Sequence, residues 1–236
     1  MKRGQTHFPA EDADRSPSSQ RERGLTTMTL RGLTTIRKLP DFRPGAITLL
    51  IRPNGAGKPN LLPFFRFLPW ALAPPGQLQK HVAKLSGASA LPHCGPEKTR
   101  EIEAHLELVT DAGVNEYRFR PACASGDTLI YTGEQYRFSR YGLSESAKWT
   151  SPGAGHKESE LNQHAESGLR TAQAILSPTR KMVLHQFHNT SETARIRRKW
   201  HVEESRRLKE DAANLAPFLL RLQTDVHPCR PATRSG

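Results

Sequence analysis

Residues 47–60 read ITLLIRPNGAGKPN, an apolar run followed by a glycine-rich turn. A phosphate-binding loop, or Walker A motif, has the pattern G-x-x-x-x-G-K-[ST] between a buried strand and a helix. Residues 52–59 read RPNGAGKP, so the second glycine and the lysine are present, while Arg52 and Pro59 replace the first glycine and the final hydroxyl residue. The stretch predicts a degenerate phosphate-binding loop. The alternative is a turn that only links a strand to a helix.

The residues retained in this loop favour nucleotide binding over hydrolysis. Backbone N–H groups at a helix N-terminus point together at a phosphate, and the helix dipole favours negative charge there. Lys58 occupies the position that reaches the β- and γ-phosphates. Pro59 supplies neither the hydroxyl that ligates Mg²⁺ nor an N–H for the phosphates. Because Mg²⁺ neutralises charge on the γ-phosphoryl group, hydrolysis is expected to suffer more than ATP binding.

Composition restricts the class of protein and its partners. The chain has 236 residues and a formal net charge of +12, which favours polyanionic partners such as nucleotides and nucleic acid. Three scattered cysteines show no C-x-x-C spacing, so we expect neither a disulfide framework nor a zinc site, and a reducing, cytoplasmic setting. The amino terminus has no apolar run, and the apolar stretch 61–75 is too short and too rich in proline to cross a bilayer. We therefore expect no membrane association.

The pattern of residues along the chain predicts one domain between two tails. Residues 1–27 and 224–236 are polar and without periodicity, which is typical of disordered tails, and residues 28–223 form the domain. The run 46–51 has the length of a buried strand, and the helix expected after the loop should be bent or shortened by Pro63 and Pro69.

The remaining elements are predicted from periodicity. Apolar and charged residues alternate in 101–109, and later β-rich runs extend this pattern into an antiparallel meander over about 101–140. Residues 151–155, SPGAG, read as a flexible connector, and apolar residues at helical spacing predict a helix over 161–176 that ends at Pro178. A strand is predicted over 181–189 and a helix from Asn214.

Two segments resemble one protein family. Residues 31–65, RGLTTIRKLPDFRPGAITLLIRPNGAGKPNLLPFF, and residues 202–222, VEESRRLKEDAANLAPFLLRL, are similar to the amino-terminal part of RecF/SMC-like ATPases, the AAA-type ATPases with an ABC-like head. The resemblance implies an α/β (α+β) fold, with a P-loop NTPase-like amino-terminal lobe, an antiparallel β-meander subdomain and a few helices. It also implies ATP as ligand, Mg²⁺ as cofactor, and a family role in DNA repair and chromosome maintenance. The implied nucleotide-binding residues are Asn54, Gly55, Ala56, Gly57, Lys58, Pro59 and Asn60.

The resemblance is incomplete in the parts that support turnover. Members of the family also carry a Walker B strand, a signature motif and a switch histidine, and we find none of these in this sequence. Such heads hydrolyse ATP when two of them sandwich the nucleotide. We therefore expect weak or no independent ATP hydrolysis, no catalytic residue in this chain, and either a head-to-head dimer or another chain that supplies the missing lobe.

A basic segment, residues 195–209, is a second candidate site. Its cations and one aromatic residue could follow a phosphate backbone such as that of DNA, and the candidate contacts are Arg195, Arg197, Arg198, Lys199 and Trp200. The alternative is a solvated charged surface. The chain would then be a basic nucleic-acid-binding or scaffold module without a working nucleotide site. His185 and His188 have H-x-x-H spacing but no evident third ligand, so we expect no metal site.

Overall fold

The computed structural model describes residues 23–49, 61–143, 147–185, 191 and 193–226. These residues form a mixed α/β structure with a six-stranded antiparallel sheet and five α-helices. The strands are β1 (Gly24–Leu33), β2 (Ile36–Phe42), β3 (Glu103–Val109), β4 (Gly113–Ala124), β5 (Thr128–Arg140) and β6 (Thr150–Gly153). The helices are α1 (Leu62–Ala71), α2 (Gln77–Lys84), α3 (Leu161–Glu166), α4 (Arg170–Arg180) and α5 (Leu215–Val226), and there are short 3₁₀ segments at Ala88–Ala90, Arg195–Arg197 and Val202–Arg206.

The sheet has the strand order β2-β1-β3-β4-β5-β6, and every pairing is antiparallel. The meander predicted over 101–140 is confirmed as β3, β4 and β5. The amino-terminal hairpin joins this meander through β1, where Met28 pairs with Leu106 and Leu30 with Ala104. Helices α1 and α2 lie in the connection between β2 and β3, two strands of the same sheet.

One face of the sheet is apolar and carries the core. In β3 the buried side chains Ala104, Leu106 and Leu108 alternate with the more exposed Glu103, His105 and Glu107, as the period of two predicts. Helix α2 packs against β5, and α4 packs against β4 and β5. The helical residues buried in this core include Phe64, Phe67, Leu68, Leu78, Val82, Ile175 and Leu176. The opposite face is polar, so the architecture has two layers.

Proline and glycine set the helix boundaries. Helix α1 is ten residues long, with Pro63 in its first turn and Pro69 close to its end. Pro63 is tolerated because N–H groups of the first turn have no intrahelical partner, whereas Pro69 removes the hydrogen bond to the Phe65 carbonyl, and α1 ends two residues later. The single helix predicted over 161–176 is instead two helices, because Gly168 has a φ of +87° and ends α3. Helix α4 continues past Pro178 to Arg180. None of the helices within the described ranges has the length and apolarity needed to span a bilayer.

Several boundaries differ from the sequence predictions. Strand β1 begins at Gly24, so residues 24–27 belong to the sheet and not to the predicted tail, because their backbone pairs with the end of β3. Residues 150–153 form β6 against β5 and are not a free connector. Residues 182–185 lie in no strand, so the first part of the strand predicted over 181–189 is wrong. Residues 186–189 lie outside the described chain.

The buried strand predicted over 46–51 is also wrong in the part that the structure describes. Residues 46–49 form no strand, and the side chains of Ile47 and Leu49 are 94% and 77% exposed. A strand that is apolar throughout needs cover on both faces, as in a parallel sheet flanked by helices. The described sheet is antiparallel and covered on one face only, so it offers no such position. A P-loop NTPase-like lobe is not confirmed by the described residues.

Candidate functional site

The predicted nucleotide-binding loop lies outside the described residues. This applies to Arg52 and to the whole predicted set, Asn54, Gly55, Ala56, Gly57, Lys58, Pro59 and Asn60. The structure describes the helix that follows, α1, which begins at Leu62. Within the described chain, no side chain caps the start of α1, and its first turn contains no acidic residue. The positive end of the α1 dipole is therefore not neutralised by a described side chain.

The basic segment, residues 195–209, is partly engaged in its own contacts. Arg195 forms an ion pair with Asp211 at 2.8 Å, and Lys209 pairs with Glu204. The ring of Trp200 lies 3.8 Å from the Lys209 ammonium and 5.2 Å from the Arg195 guanidinium. Trp200 also donates its indole N–H to the Arg195 carbonyl at 2.9 Å. Because two cations of the chain already lie against this ring, Trp200 is a poor platform for a stacked base.

The other predicted contacts of this segment remain in solvent. Arg197, Arg198 and Lys199 are exposed, and none of them forms an ion pair with a described residue. The predicted nucleic-acid contacts therefore fall into two groups. Arg195 and Trp200 contact each other, and Arg195 also pairs with Asp211. The three consecutive cations between them remain available to a polyanion.

Histidine and carboxylate clusters offer little for a metal ion. His185 contacts the Lys209 carbonyl at 3.1 Å, and His188 lies outside the described residues. On the polar face of the sheet, His105, Glu107 and Glu116 have ligand atoms within 4.8 Å of one another. Burial and the nearby charge of Arg118 lower the pKa of His105. Glu116 is already paired with Arg137, whose Nη2 and Nε atoms lie 2.6 and 2.7 Å from its Oε1 atom. Glu116 therefore already has a cationic partner on its Oε1 atom.

Among the described carboxylates Glu134 on β5 is the most buried, and both of its oxygens accept hydrogen bonds. Its Oε1 accepts hydrogen bonds from Tyr117 Oη at 2.6 Å and Ser159 Oγ at 2.5 Å. Its Oε2 contacts His156 Nε2 at 3.0 Å and accepts the backbone N–H of Glu160 at 3.0 Å. Burial raises the pKa of Glu134, but these hydrogen bonds outweigh it, so the pKa lies below its ordinary value. Glu134 therefore links β5 to residues 156–160, which precede α3. Its side chain is fully buried, so a substrate cannot reach it.

A cleft of about 640 Å³ lies along one side of α1, between this helix, residues 182–184 and the turns at 194–196 and 210–211. Trp70 of α1 stacks on His81 of α2, with ring centres 4.5 Å apart and an angle of 8° between the planes. The Nε2 atom of His81 is buried and has no hydrogen-bond partner among the described residues. Neither residue could be singled out from the sequence, because they lie on different helices and no spacing in the sequence connects them.

Comparison of the chain with known proteins gives no match, whether the comparison is with protein-family models, curated proteins or solved structures. The resemblance to RecF/SMC-like ATPases therefore rests on the two sequence segments quoted above. Within the described residues, the features nearest to the predicted sites are helix α1, which begins at Leu62, the partly paired basic segment and the cleft beside α1.

Proposed function

We propose that the chain is a nucleotide-binding fragment of the RecF/SMC-like ATPase type, with weak or no independent ATP hydrolysis. The observation that carries this proposal is the position of α1. The residues PNGAGK end at Lys58, and α1 begins at Leu62 with no acidic residue in its first turn. A glycine-rich segment with a lysine shortly before a helix is the sequence context in which backbone N–H groups bind phosphate.

Within this proposal each residue of the loop has a defined role. Lys58 neutralises phosphate charge, and the backbone amides from Gly55 to Lys58 surround the phosphate oxygens. Pro59 lacks the hydroxyl that would ligate Mg²⁺, so the metal is held weakly and turnover is slow. A second head, or a chain that supplies the missing lobe, would be needed for hydrolysis. The free thiols Cys94 and Cys123 are compatible with a reducing, cytoplasmic setting.

The first test is equilibrium binding of a fluorescent ATP analogue to the unmodified chain and to Lys58→Ala. Loss of a hydrogen bond to a charged group costs about 1.5–3 kcal/mol, so we expect Kd to rise by roughly 10- to 150-fold. Lys98→Ala is the matched control, because Lys98 is an exposed lysine in the turn before β3. Equal binding by the Lys58→Ala and Lys98→Ala proteins would exclude the loop as the nucleotide site.

The second test restores the hydroxyl that the loop lacks. We expect Pro59→Ser to tighten binding of the ATP analogue more with Mg²⁺ than in EDTA, because the serine restores a backbone N–H for the phosphates in both conditions and a hydroxyl that acts only through the metal. A gain of affinity that is equal with and without Mg²⁺ would show that Pro59 acts through backbone geometry and not through a missing metal ligand.

A second candidate function is nucleic-acid binding, favoured by the exposed and unpaired Arg197, Arg198 and Lys199 within the described chain. Replacement of all three by glutamine should reduce the salt dependence of single-stranded DNA binding by about two units of slope, since each phosphate contact contributes about 0.7. The measurement is fluorescence anisotropy at several salt concentrations. The matched control replaces three exposed cations at the other end of the chain, Arg37, Lys38 and Arg43. If both triple variants show the same salt dependence of DNA binding, residues 197–199 are excluded as the nucleic-acid contact.

A further inference from the structure

The polar face of the sheet contains a depression of about 520 Å³ that is lined by three arginines, Arg31 on β1 and Arg118 and Arg120 on β4. Arg118 and Arg120 are two residues apart on one strand, so they share a face and their Cα atoms lie about 7 Å apart. Only β3 separates β1 from β4, which places the Cα atom of Arg31 roughly 10 Å from that of Arg120. Three long side chains at these positions can reach a single small ligand.

The guanidinium of Arg118 is held in place without being neutralised. Arg118 is exposed and pairs with no carboxylate of the described residues. Its guanidinium lies 4.2 Å from the centre of the Trp149 ring, and the Arg137 guanidinium lies 4.5 Å from the same ring. Stacking on an aromatic ring restrains a guanidinium and leaves the N–H donors along its edge available to a ligand. Arg118 is therefore a positioned cation that lacks a described anionic partner.

The guanidinium of Arg120 lies over Gly133, the residue opposite Arg120 on β5. A Cβ atom added at Gly133 would lie 2.7 Å from Nη2 and 2.9 Å from Nε of Arg120. Gly133 is not among the glycines with a positive φ, so its backbone conformation does not require glycine. The missing side chain instead gives the guanidinium room to lie against the sheet.

The carboxylates near these arginines balance only part of their charge. A carboxylate oxygen of Glu103 lies 3.9 Å from Arg31, and one of Glu101 lies 3.7 Å from Arg120. Both distances are longer than a hydrogen bond, and all four side chains are between 39% and 54% exposed. Such surface pairs are weak. Three guanidiniums therefore face two loosely placed carboxylates, and the surface keeps an excess of positive charge.

Two further carboxylates limit the size of an anion that this surface accepts. Glu116 lies two residues before Arg118 on the same face of β4, and its partner on β3 is Glu107. Arg137 pairs with Glu116 only, so a long polyanion that follows β4 past Arg118 meets a negative charge. Trp149 already contacts two guanidiniums, so it is a poor platform for a stacked base. The surface therefore favours a compact anion over a nucleic-acid strand.

We propose that this depression, the arginine site (Arg31, Arg118 and Arg120), binds a compact phosphate dianion. The planar fork of N–H donors in arginine matches the oxygens of phosphate, and two or three guanidiniums can share one phosphate group. Free phosphate and the phosphate ester of a peptide present this same chemistry, so both serve as probes. The arginine site contains no residue of the predicted phosphate-binding loop. Lys58→Ala should therefore leave it unchanged, and failure of one site is distinguishable from failure of the other.

The experiment uses two forms of the ligand at pH 7 and constant ionic strength, inorganic phosphate and a blocked Gly-Ser-Gly peptide that is phosphorylated on its serine. The unphosphorylated peptide is the control for contacts with the peptide itself. Binding to the full chain is followed by ¹H–¹⁵N NMR through the arginine side-chain N–H and tryptophan indole signals. A phosphate ester is mainly a dianion at this pH, since its second pKa is about 6. We expect saturable shifts of the Arg118, Arg120 and Trp149 signals, with a Kd of about 1–10 mM.

Three variants test which side chains hold the anion. Arg118→Gln removes the cation that has no described carboxylate partner, and it should raise Kd by about two- to fivefold. Glu103→Gln removes the carboxylate beside Arg31, so the anion meets less repulsion and Kd should fall by a similar factor. Arg140→Gln is the matched control, because Arg140 is an exposed arginine on β5 that does not line the depression, and Kd should stay unchanged. Circular dichroism checks the fold of each variant.

The expected pattern of Kd values in these variants would support the proposal, and tighter binding of either probe would identify the source of the phosphate. Equal Kd values for Arg118→Gln and Arg140→Gln, binding by Glu103→Gln that is not tighter, or no saturation at several times 10 mM would overturn it. Tighter binding of a thymidine oligonucleotide at the same NMR signals would overturn the restriction to a compact anion. If Arg118→Gln fails to fold, the arginine and indole signals of the unmodified chain still decide.

Discussion

Replacement of Glu134 by glutamine should destabilise the fold, because the four donors around its carboxylate are arranged for a charge. Each carboxylate oxygen serves two donors, with Tyr117 and Ser159 on Oε1 and His156 and the Glu160 amide on Oε2. A glutamine side chain has one oxygen. Its NH₂ group is best placed at the Oε1 position, where the two hydroxyls can turn to accept, and its oxygen then keeps the other two donors.

The size of the destabilisation follows from replacing four hydrogen bonds to a charged carboxylate by hydrogen bonds to a neutral amide. Hydrogen bonds to charged groups contribute about 1.5–3 kcal/mol and neutral ones about 0.5–1.5 kcal/mol, and the rearranged hydroxyls recover part of the difference. We expect the free energy of unfolding to fall by about 2–4 kcal/mol. For a chain of this length that corresponds to a fall in Tm of roughly 4–16 °C. Glu103→Gln is the control: Glu103 lies on β3 with its side chain 51% exposed, and we expect a change within about 0.5 kcal/mol.

The pH dependence gives an independent check. Burial raises the pKa of Glu134, but its hydrogen bonds lower it further, so the folded pKa lies below the unfolded one. The carboxylate therefore contributes its stability above the unfolded pKa of about 4.3, and this contribution is lost as the pH falls through the folded pKa. The difference between the unmodified chain and Glu134→Gln should be constant from about pH 6 to 8 and should shrink below about pH 4.

Urea denaturation followed by circular dichroism measures both effects. The difference in midpoint multiplied by the slope m gives the change in unfolding free energy. A Glu134→Gln protein that unfolds within about 0.5 kcal/mol of the unmodified chain at pH 7 would show that these four contacts do not stabilise the fold. A difference that grows as the pH falls would refute the sign of the pKa shift.

Three further changes test packing and backbone conformation. Tyr131→Phe removes a buried hydroxyl that donates to the Ala71 carbonyl, and calorimetry should show a loss of about 1–2 kcal/mol. Gly87→Ala should lower Tm by several degrees, because Gly87 has a φ of +94° and an added Cβ would lie 1.6 Å from the Asp127 carboxylate. Met28→Ala leaves a cavity at a fully buried position in β1 and should cost about 2–5 kcal/mol in urea titrations.

The elements predicted most successfully from the sequence are those with strict periodicity. Polar and apolar residues alternate without interruption over 103–108, and the structure confirms the strand and its buried side. The run 46–51 is apolar without alternation. This pattern alone does not show whether the segment is a strand in a sheet that is covered on both faces. Residues 151–155 look like a connector in sequence, and only the pairing with β5 makes residues 150–153 a strand.

The sites were less predictable, since they depend on residues that are distant in the chain. The donors to Glu134 come from β4 and from residues 156–160, and no local pattern relates them. The basic segment was recognised as a charge run, but its pairing with Asp211 depends on how the chain turns back after Val202–Arg206. The stack of Trp70 on His81 arises from the packing of α1 against α2.

The pairing of β1 with β3 has a consequence for the order of events on the ribosome. About 70 residues separate the two strands, and at roughly 5–20 residues per second these take about 4–14 seconds to synthesise. During that interval Met28 and Leu30, both fully buried in the finished sheet, lack their partner strand β3. The nascent amino-terminal hairpin is therefore exposed to chaperones and to neighbouring chains for seconds before its own sheet can form.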